Sequence, residues 1–245
     1  MQENDGNRPA IWEQSVQIPA GEAVLYGELM MPRDARAIVL FAHGSGSSRH
    51  SPRNQFVARV IREAGIATLL FDLLTAEEES VDVYTRHLRF DIDLLAERLV
   101  DATNWLEERG QQIAAQTTYQ PLRVGFFGAS TGGGAALVAA ARLGEKAGAV
   151  VSRGGRPDLA GAALPQVKAP TLLIVGGEDT PVIELNEQAY AQLRCPKELR
   201  LIPGATHLFE EPGTLEQVAQ LAAEWFNQHL QAQPRAGTAS GGTRR

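Results

Sequence analysis

Six short apolar runs punctuate the chain, at 37–42, 66–71, 122–127, 147–152, 171–175 and 199–202. They lack polar alternation and are rich in Val, Ile, Leu and Phe, as strands covered on both faces are. Ahead of them, 15–19 and 23–31 read as an antiparallel pair joined at Ala20-Gly21-Glu22. Helical segments alternate with the runs, at about 53–64, 86–109, 131–143, 181–193 and 214–230. In the second of these, Leu88, Ile92, Leu95, Leu99, Ala102 and Leu106 recur at i+3/i+4 spacing, while Asp91, Glu97, Asp101 and Glu108 fall on the other side. Pro52, Pro181 and Thr214 suit the first turns or caps of their helices. Repeated strand–helix alternation predicts an α/β protein: a mostly parallel sheet with helices on both faces and right-handed crossovers. In such sheets the working loops follow the carboxyl ends of the strands.

Length and charge narrow the picture. A chain of 245 residues with 44% hydrophobic content can bury one large core. The expected domain spans 14–231, between a polar, loose stretch at 1–13 and a tail at 232–245 with the composition of disorder. Net charge is −6, and no Lys/Arg block occurs before the last residues. Nucleic acid and anionic membrane surfaces are therefore not expected as partners. The amino terminus has neither the basic nor the apolar region of a signal peptide. No apolar stretch approaches the ~20 residues that span a bilayer. The single cysteine, Cys195, excludes an internal disulfide framework. A cytoplasmic location is the expectation. Nothing in the sequence decides between a monomer and a homodimer.

Four of the post-strand loops carry reactive residue types. His43-Gly44-Ser45-Gly46-Ser47-Ser48 follows 37–42, and Gly128-Ala129-Ser130-Thr131-Gly132 follows 122–127. Gly176-Gly177-Glu178-Asp179-Thr180 follows 171–175, and Pro203-Gly204-Ala205-Thr206-His207-Leu208-Phe209 follows 199–202. The second is a G-x-S-x-G pentapeptide between a strand and a small-residue helix, the context of a nucleophile elbow. Flanking glycines are needed there because side chains would collide with the neighbouring strand and helix. The chain order Ser130…Asp179…His207 is that of an α/β-hydrolase triad. A serine hydroxyl needs a base, an imidazole titrates near neutrality, and a carboxylate fixes its tautomer. Asp72 and Asp158 also follow strands and compete with Asp179 for that third role. Ser130 could instead cap the helix. The backbone N–H groups of Thr131, at a helix start, and of Ser45 are the expected oxyanion donors.

His43 precedes the nucleophile and is expected to hydrogen-bond within its own loop; His50, His87 and His229 read as surface residues. Glu77-Glu78-Glu79 reads as a solvated loop or the start of a helix. Scattered histidines and one cysteine argue against a metal, and the glycine spacings do not form a dinucleotide fingerprint. No cofactor is expected. Arg153 and Arg156, after 147–152, could grip a substrate carboxylate or pair with Asp158, Asp72 or Asp179 to fix their loop.

These segments, together with Phe71-Asp72-Leu73-Leu74-Thr75, resemble the α/β-hydrolase superfamily, and more narrowly its dienelactone hydrolase-like branch, over about 14–230. Dienelactone hydrolases proper use a cysteine nucleophile, and serine stands at the matching position here. The resemblance implies an α/β-hydrolase fold and generic ester hydrolysis. Only 153–170 separates the strands between which many members insert a lid, too short for a cap domain. The sequence thus predicts an uncapped, shallow site for short-chain or compact small-molecule esters. A thioesterase, a peptidase or an acyltransferase with the same triad, or a non-catalytic binding protein that keeps the fold, are the alternatives.

Overall fold

In the strand β3 (Ala37–Ala42) every residue is buried. Ile38, Leu40 and Ala42 belong to one hydrophobic cluster, and Ala37, Val39 and Phe41 to a second on the opposite face. Two-sided burial of this kind runs through the central strands of the molecule, described over residues 11–114 and 122–231 of a computed structural model. It does not run through the edge strand Lys197–Ile202, where only Ile202 is buried, against the expectation for 199–202. Eight strands form one sheet in the spatial order β1 (Ile11–Ala20), β2 (Ala23–Pro32), β4 (Ala67–Phe71), β3, β5 (Arg123–Ala129), β6 (Ala147–Arg153), β7 (Thr171–Gly176) and β8 (Lys197–Ile202). β2 runs antiparallel to both β1 and β4, and the remaining pairs are parallel. The first cluster packs under α3 (Ile92–Ala114), α4 (Thr131–Leu143) and α5 (Thr180–Gln192). The second packs under α1 (Pro52–Glu63) and α6 (Thr214–Leu230). This is the α/β-hydrolase fold with helices on both faces.

Two departures from the sequence pattern, and one choice that it left open, have local causes. β1 begins at Ile11, so 11–13 are strand rather than loose chain, while 1–10 and the tail at 232–245 lie outside the described residues. The acidic run 77–79 starts a helix, α2 (Ala76–Thr85), through a capping box. Thr75 Oγ1 accepts the Glu78 N–H at 3.1 Å, and Glu78 Oε2 accepts the Thr75 N–H at 2.8 Å. The helix predicted over 86–109 is therefore divided. Arg86, in the left-handed region at φ 56°, ends α2. Asp91 then caps α3 by accepting the Leu94 N–H at 3.0 Å. Its place on the polar face had a capping cause that periodicity does not show. The apolar spacing holds within α3, where Leu95, Leu99 and Ala102 are buried.

Between β6 and β7 the chain makes short turns over Pro157–Gln166 that pack on α4 and α5. Among the described residues no helix is long and apolar enough to cross a membrane.

Candidate active site

β5 ends at Ala129, and Ser130 turns the chain into α4 with φ 51° and ψ −122°. Non-glycine residues seldom adopt this conformation, which costs on the order of 1–3 kcal/mol. Backbone bonds on both sides hold it. The Ser130 N–H donates to the Arg153 carbonyl at 3.3 Å, prolonging the β5–β6 pairing. The Ser130 carbonyl accepts the N–H groups of Gly133 at 2.9 Å and Arg156 at 3.0 Å. A Cβ at Gly128 would stand 2.5 Å from the Gly132 oxygen, and one at Gly132 would stand 2.1 Å from the Ala42 oxygen. Both flanking glycines are thus demanded by close approach. The Ser130 side chain makes no capping bond to α4, so the helix-cap alternative does not describe what the hydroxyl does.

His207 Nδ1 lies 2.6 Å from Asp179 Oδ2. With Asp179 ionised, this bond places the imidazole proton on Nδ1 and leaves Nε2 free to accept one. The Asp179 side chain is 13% exposed and that of His207 39%, so the carboxylate is sheltered while the ring is reachable. The rival acids are engaged elsewhere. Asp72 takes the Arg49 N–H at 2.7 Å together with the Arg49 guanidinium. Asp158 takes Arg156 Nε and Nη2 at 2.9 and 2.8 Å.

The loops that bear Asp179 and His207 are packed against each other. The Glu178 N–H donates to the Ala205 carbonyl at 3.0 Å and the Gly177 N–H to the Ile202 carbonyl at 2.8 Å. Glu211 clamps the histidine loop from outside, accepting the Thr206 hydroxyl at 2.6 Å and the Thr206 N–H at 3.1 Å. Those bonds, the hydroxyl first, hold its carboxyl below the usual range. Neighbouring backbone carries His207 and Ser130 to the same end of the sheet. A Cβ at Gly154 would stand 3.7 Å from His207 Cε1, and the preceding residue, Arg153, pairs with Ser130. On the other side, a Cβ at Gly44 would stand 3.2 Å from Ser130 Cβ.

Ser45 and Thr131 also come together, but through a bond that the sequence does not predict. The Ser45 N–H donates to Thr131 Oγ1 at 3.0 Å instead of standing free beside the Thr131 amide. His43 is buried, with Nδ1 on the Gly44 carbonyl at 3.0 Å and Nε2 accepting the Leu73 N–H at 3.0 Å. Both ring nitrogens are occupied, and burial pushes its pKa below the ordinary value. His43 therefore serves the loop rather than the chemistry. Beside Ser45 lies a cavity of about 260 Å³ whose lining includes His43, Ser45, Leu73, Glu79, Val83 and Arg89. Burial, and secondarily the charge of Asp72, pushes the Glu79 carboxyl up. Three of these residues belong to α2 or the turn after it, so a helix that the sequence pattern left undecided walls the cavity. The cavity adjoins the loop that carries Ser45; Ser130, Asp179 and His207 are not among its lining residues.

Neither arginine is arranged to grip a substrate carboxylate. Arg156 is spent on Asp158. Arg153 is 6% exposed and lies against Phe209, with its guanidinium 5.7 Å from the ring centroid. Its Nη2 donates to Asn54 Oδ1 at 3.2 Å, and Nε has no hydrogen-bond partner among the described residues. Burial, with Arg53 nearby, pulls its pKa down to about 10. Phe209, two residues past His207, has φ 55°. Glu211 and Arg89 carry no motif that would single them out in the sequence, and Phe209 stands in a loop that the sequence marks only for His207. Among the described residues no group of three or more His, Cys, Asp or Glu side chains is placed to hold a metal ion.

Residues 25–232 match the dienelactone hydrolase family. The structure is similar to that of a dienelactone hydrolase from Anabaena variabilis, at 62% identity and a TM-score of 0.85, covering 90% of this chain and 99% of that one. A Mycobacterium tuberculosis protein with the provisional name phosphoribosyl transferase is 58% identical over 222 residues, 91% of this chain and 48% of its own length. The chain thus spans about half the length of the curated relatives it matches. Est1E from Butyrivibrio proteoclasticus (16% identity, TM-score 0.67, 87% and 98% covered) shares the fold. So does a dienelactone hydrolase-like promiscuous phosphotriesterase from metagenomic libraries (17%, 0.69, 90% and 99%).

Proposed function

The chain belongs to the dienelactone hydrolase family; on that premise we propose that it is a hydrolase, and more closely a serine carboxylesterase acting on short-chain or compact esters. The observation that carries this reading is the 2.6 Å bond between His207 and Asp179 at the sheet end where Ser130 is held at φ 51°. A structural serine or histidine has no need of either.

In this mechanism Ser130 Oγ adds to the ester carbonyl as His207 Nε2 takes its proton. Asp179 keeps the ring in the required tautomer and stabilises the imidazolium that forms. His207 then returns the proton to the leaving alkoxide. Water, activated by the same imidazole, releases the acid from Ser130. The Thr131 N–H, at the start of α4, helps hold the oxyanion. The cavity beside Ser45, about 260 Å³, suits a compact acyl or alcohol group. The name of the mycobacterial relatives belongs to chains about twice as long and is not carried to this one. Transfer at a sugar carbon would leave an activated serine unexplained.

The test is labelling by a fluorophosphonate probe and turnover of a series of p-nitrophenyl esters, each beside Ser130→Ala. Labelling confined to the parent, with kcat/KM falling beyond short acyl chains, is the expected result. A parent that is neither labelled nor active would overturn the proposal in favour of a non-catalytic binding protein.

A further inference from the structure

The donors around Ser130 do not add up as a pair of free backbone amides. As the first residue of α4, Thr131 has an N–H with no intrahelical acceptor, and the helix start favours negative charge there. The second expected donor, the Ser45 N–H, already points at Thr131 Oγ1, 3.0 Å away. Thr131 is 4% exposed, so bulk water does not compete strongly for this bond. A hydroxyl that accepts an N–H still has its own proton to place. Threonines inside helices often give that proton to the carbonyl four residues back. For Thr131 that position is Phe127, in the strand β5, so no preceding helical turn offers one. Among the described residues the Ser45 amide is the hydrogen-bond partner that the structure gives this hydroxyl.

We propose that the Thr131 side chain is itself an oxyanion donor, a catalytic residue through which the Ser45 amide acts indirectly. The Ser45 N–H donates to Thr131 Oγ1, and Thr131 Oγ1–H donates to the substrate oxygen, beside the N–H of the same residue. A hydroxyl that accepts one hydrogen bond is polarised into a stronger donor of the next. As Ser130 Oγ bonds to the carbonyl carbon, the π pair moves onto the oxygen and the serine proton passes to His207 Nε2. The Thr131 proton stays on Oγ1 throughout. The amide and hydroxyl of one buried residue thus converge on one developing charge, with Ser45 feeding the second. This inference rests on the serine esterase reading above.

Thr131→Val keeps the side-chain shape and removes the hydroxyl. The expected result is a kcat lowered ~100-fold, the loss typical of one oxyanion donor, with KM changed by no more than about threefold. A trifluoromethyl ketone, whose serine adduct carries the same oxyanion, should bind Thr131→Val more weakly by a factor that matches the fall in kcat/KM. Thr131→Ser, which keeps the hydroxyl, should recover most of both losses, which a purely structural role for the threonine methyl would not allow. A Thr131→Val enzyme as fast as the parent, or faster, would overturn the proposal. It would mean that the hydroxyl merely occupies an amide that acts directly. If circular dichroism shows Thr131→Val unfolded, Thr131→Ala against Thr131→Ser decides the same question. Fluorophosphonate labelling separates the two levels. A labelled, active parent with an indifferent Thr131 defeats only this inference, whereas an unlabelled parent defeats the esterase reading on which it rests.

Discussion

Asp179 Oδ2 meets His207 Nδ1 at 2.6 Å, whereas Asp72 and Asp158 are each held by an arginine. In the proposed mechanism this pairing decides which carboxylate orients the base. Asp179→Asn should lower kcat by ~10³–10⁴, because the amide stabilises the wrong imidazole tautomer. Asp158→Asn should leave kcat within a few-fold of the parent, since it loosens only the surface-side partner of Arg156. Steady-state kinetics on one short ester check both. Equal losses in the two variants would remove Asp179 from its role.

Ser130 adopts a backbone conformation suited to glycine. Ser130→Gly should therefore abolish ester turnover while stabilising the fold. Relief of ~1–3 kcal/mol of strain, offset by the chain entropy of glycine, leaves a gain of about 1 kcal/mol. In a chain of this size that is a rise in Tm of about 2–4 °C. Ser130→Ala keeps the strain and should show no such rise. Differential scanning calorimetry of the three proteins makes the comparison.

Arg153 is a buried cation with no carboxylate beside it among the described residues, and burial pulls its pKa to about 10. Arg153→Met keeps much of the packing against Phe209 and removes the desolvated charge. Its urea midpoint should equal or exceed that of the parent, while Arg153→Ala should lose about 2 kcal/mol or more to the cavity that it opens. In each variant kcat/KM should change by the same factor for anionic and neutral esters. A KM effect confined to anionic esters would restore Arg153 as a substrate ligand.

His43 is neutral when folded, its pKa pushed below the ordinary 6.5 by burial. The unfolded chain binds that proton more readily, so this contribution to stability is complete above about pH 6.5 and is lost as pH falls through the folded value. His229 is shifted the same way, also by burial. Urea midpoints should fall between about pH 7.5 and about pH 5, a window above most carboxylate titration. The fall should be smaller in His43→Gln. An unchanged slope would show that the His43 proton is not linked to folding.

Ser130, Asp179 and His207 were legible as candidates because they follow β5, β7 and β8 of one parallel stretch of the sheet. Parallel strands bring the loops after their carboxyl ends to one end of the sheet. What stayed illegible involved side chains that meet across long separations. The capping box at Thr75 and Glu78 is local, and its pattern could have revealed α2. Nothing in the sequence around Glu211 announces that it holds the histidine loop, and the burial of Arg153 against Phe209 depends on how β6 and that loop pack.

The sequence by itself determined the α/β architecture, the strained serine turn and the order of its partners. Apolar periodicity, glycine spacing and strand–helix alternation are properties of neighbouring residues. Only the tertiary structure decided which of three aspartates faces His207, because charge pairing depends on which groups the fold brings beside each carboxylate. It also decided that α2 walls the cavity and that the arginines serve the scaffold. Most of all, it decided that the Ser45 amide ends on the Thr131 hydroxyl, a contact between residues 86 positions apart. Hydrogen bonds act over about 3 Å, and no pattern along the chain encodes which distant groups the fold brings within that range.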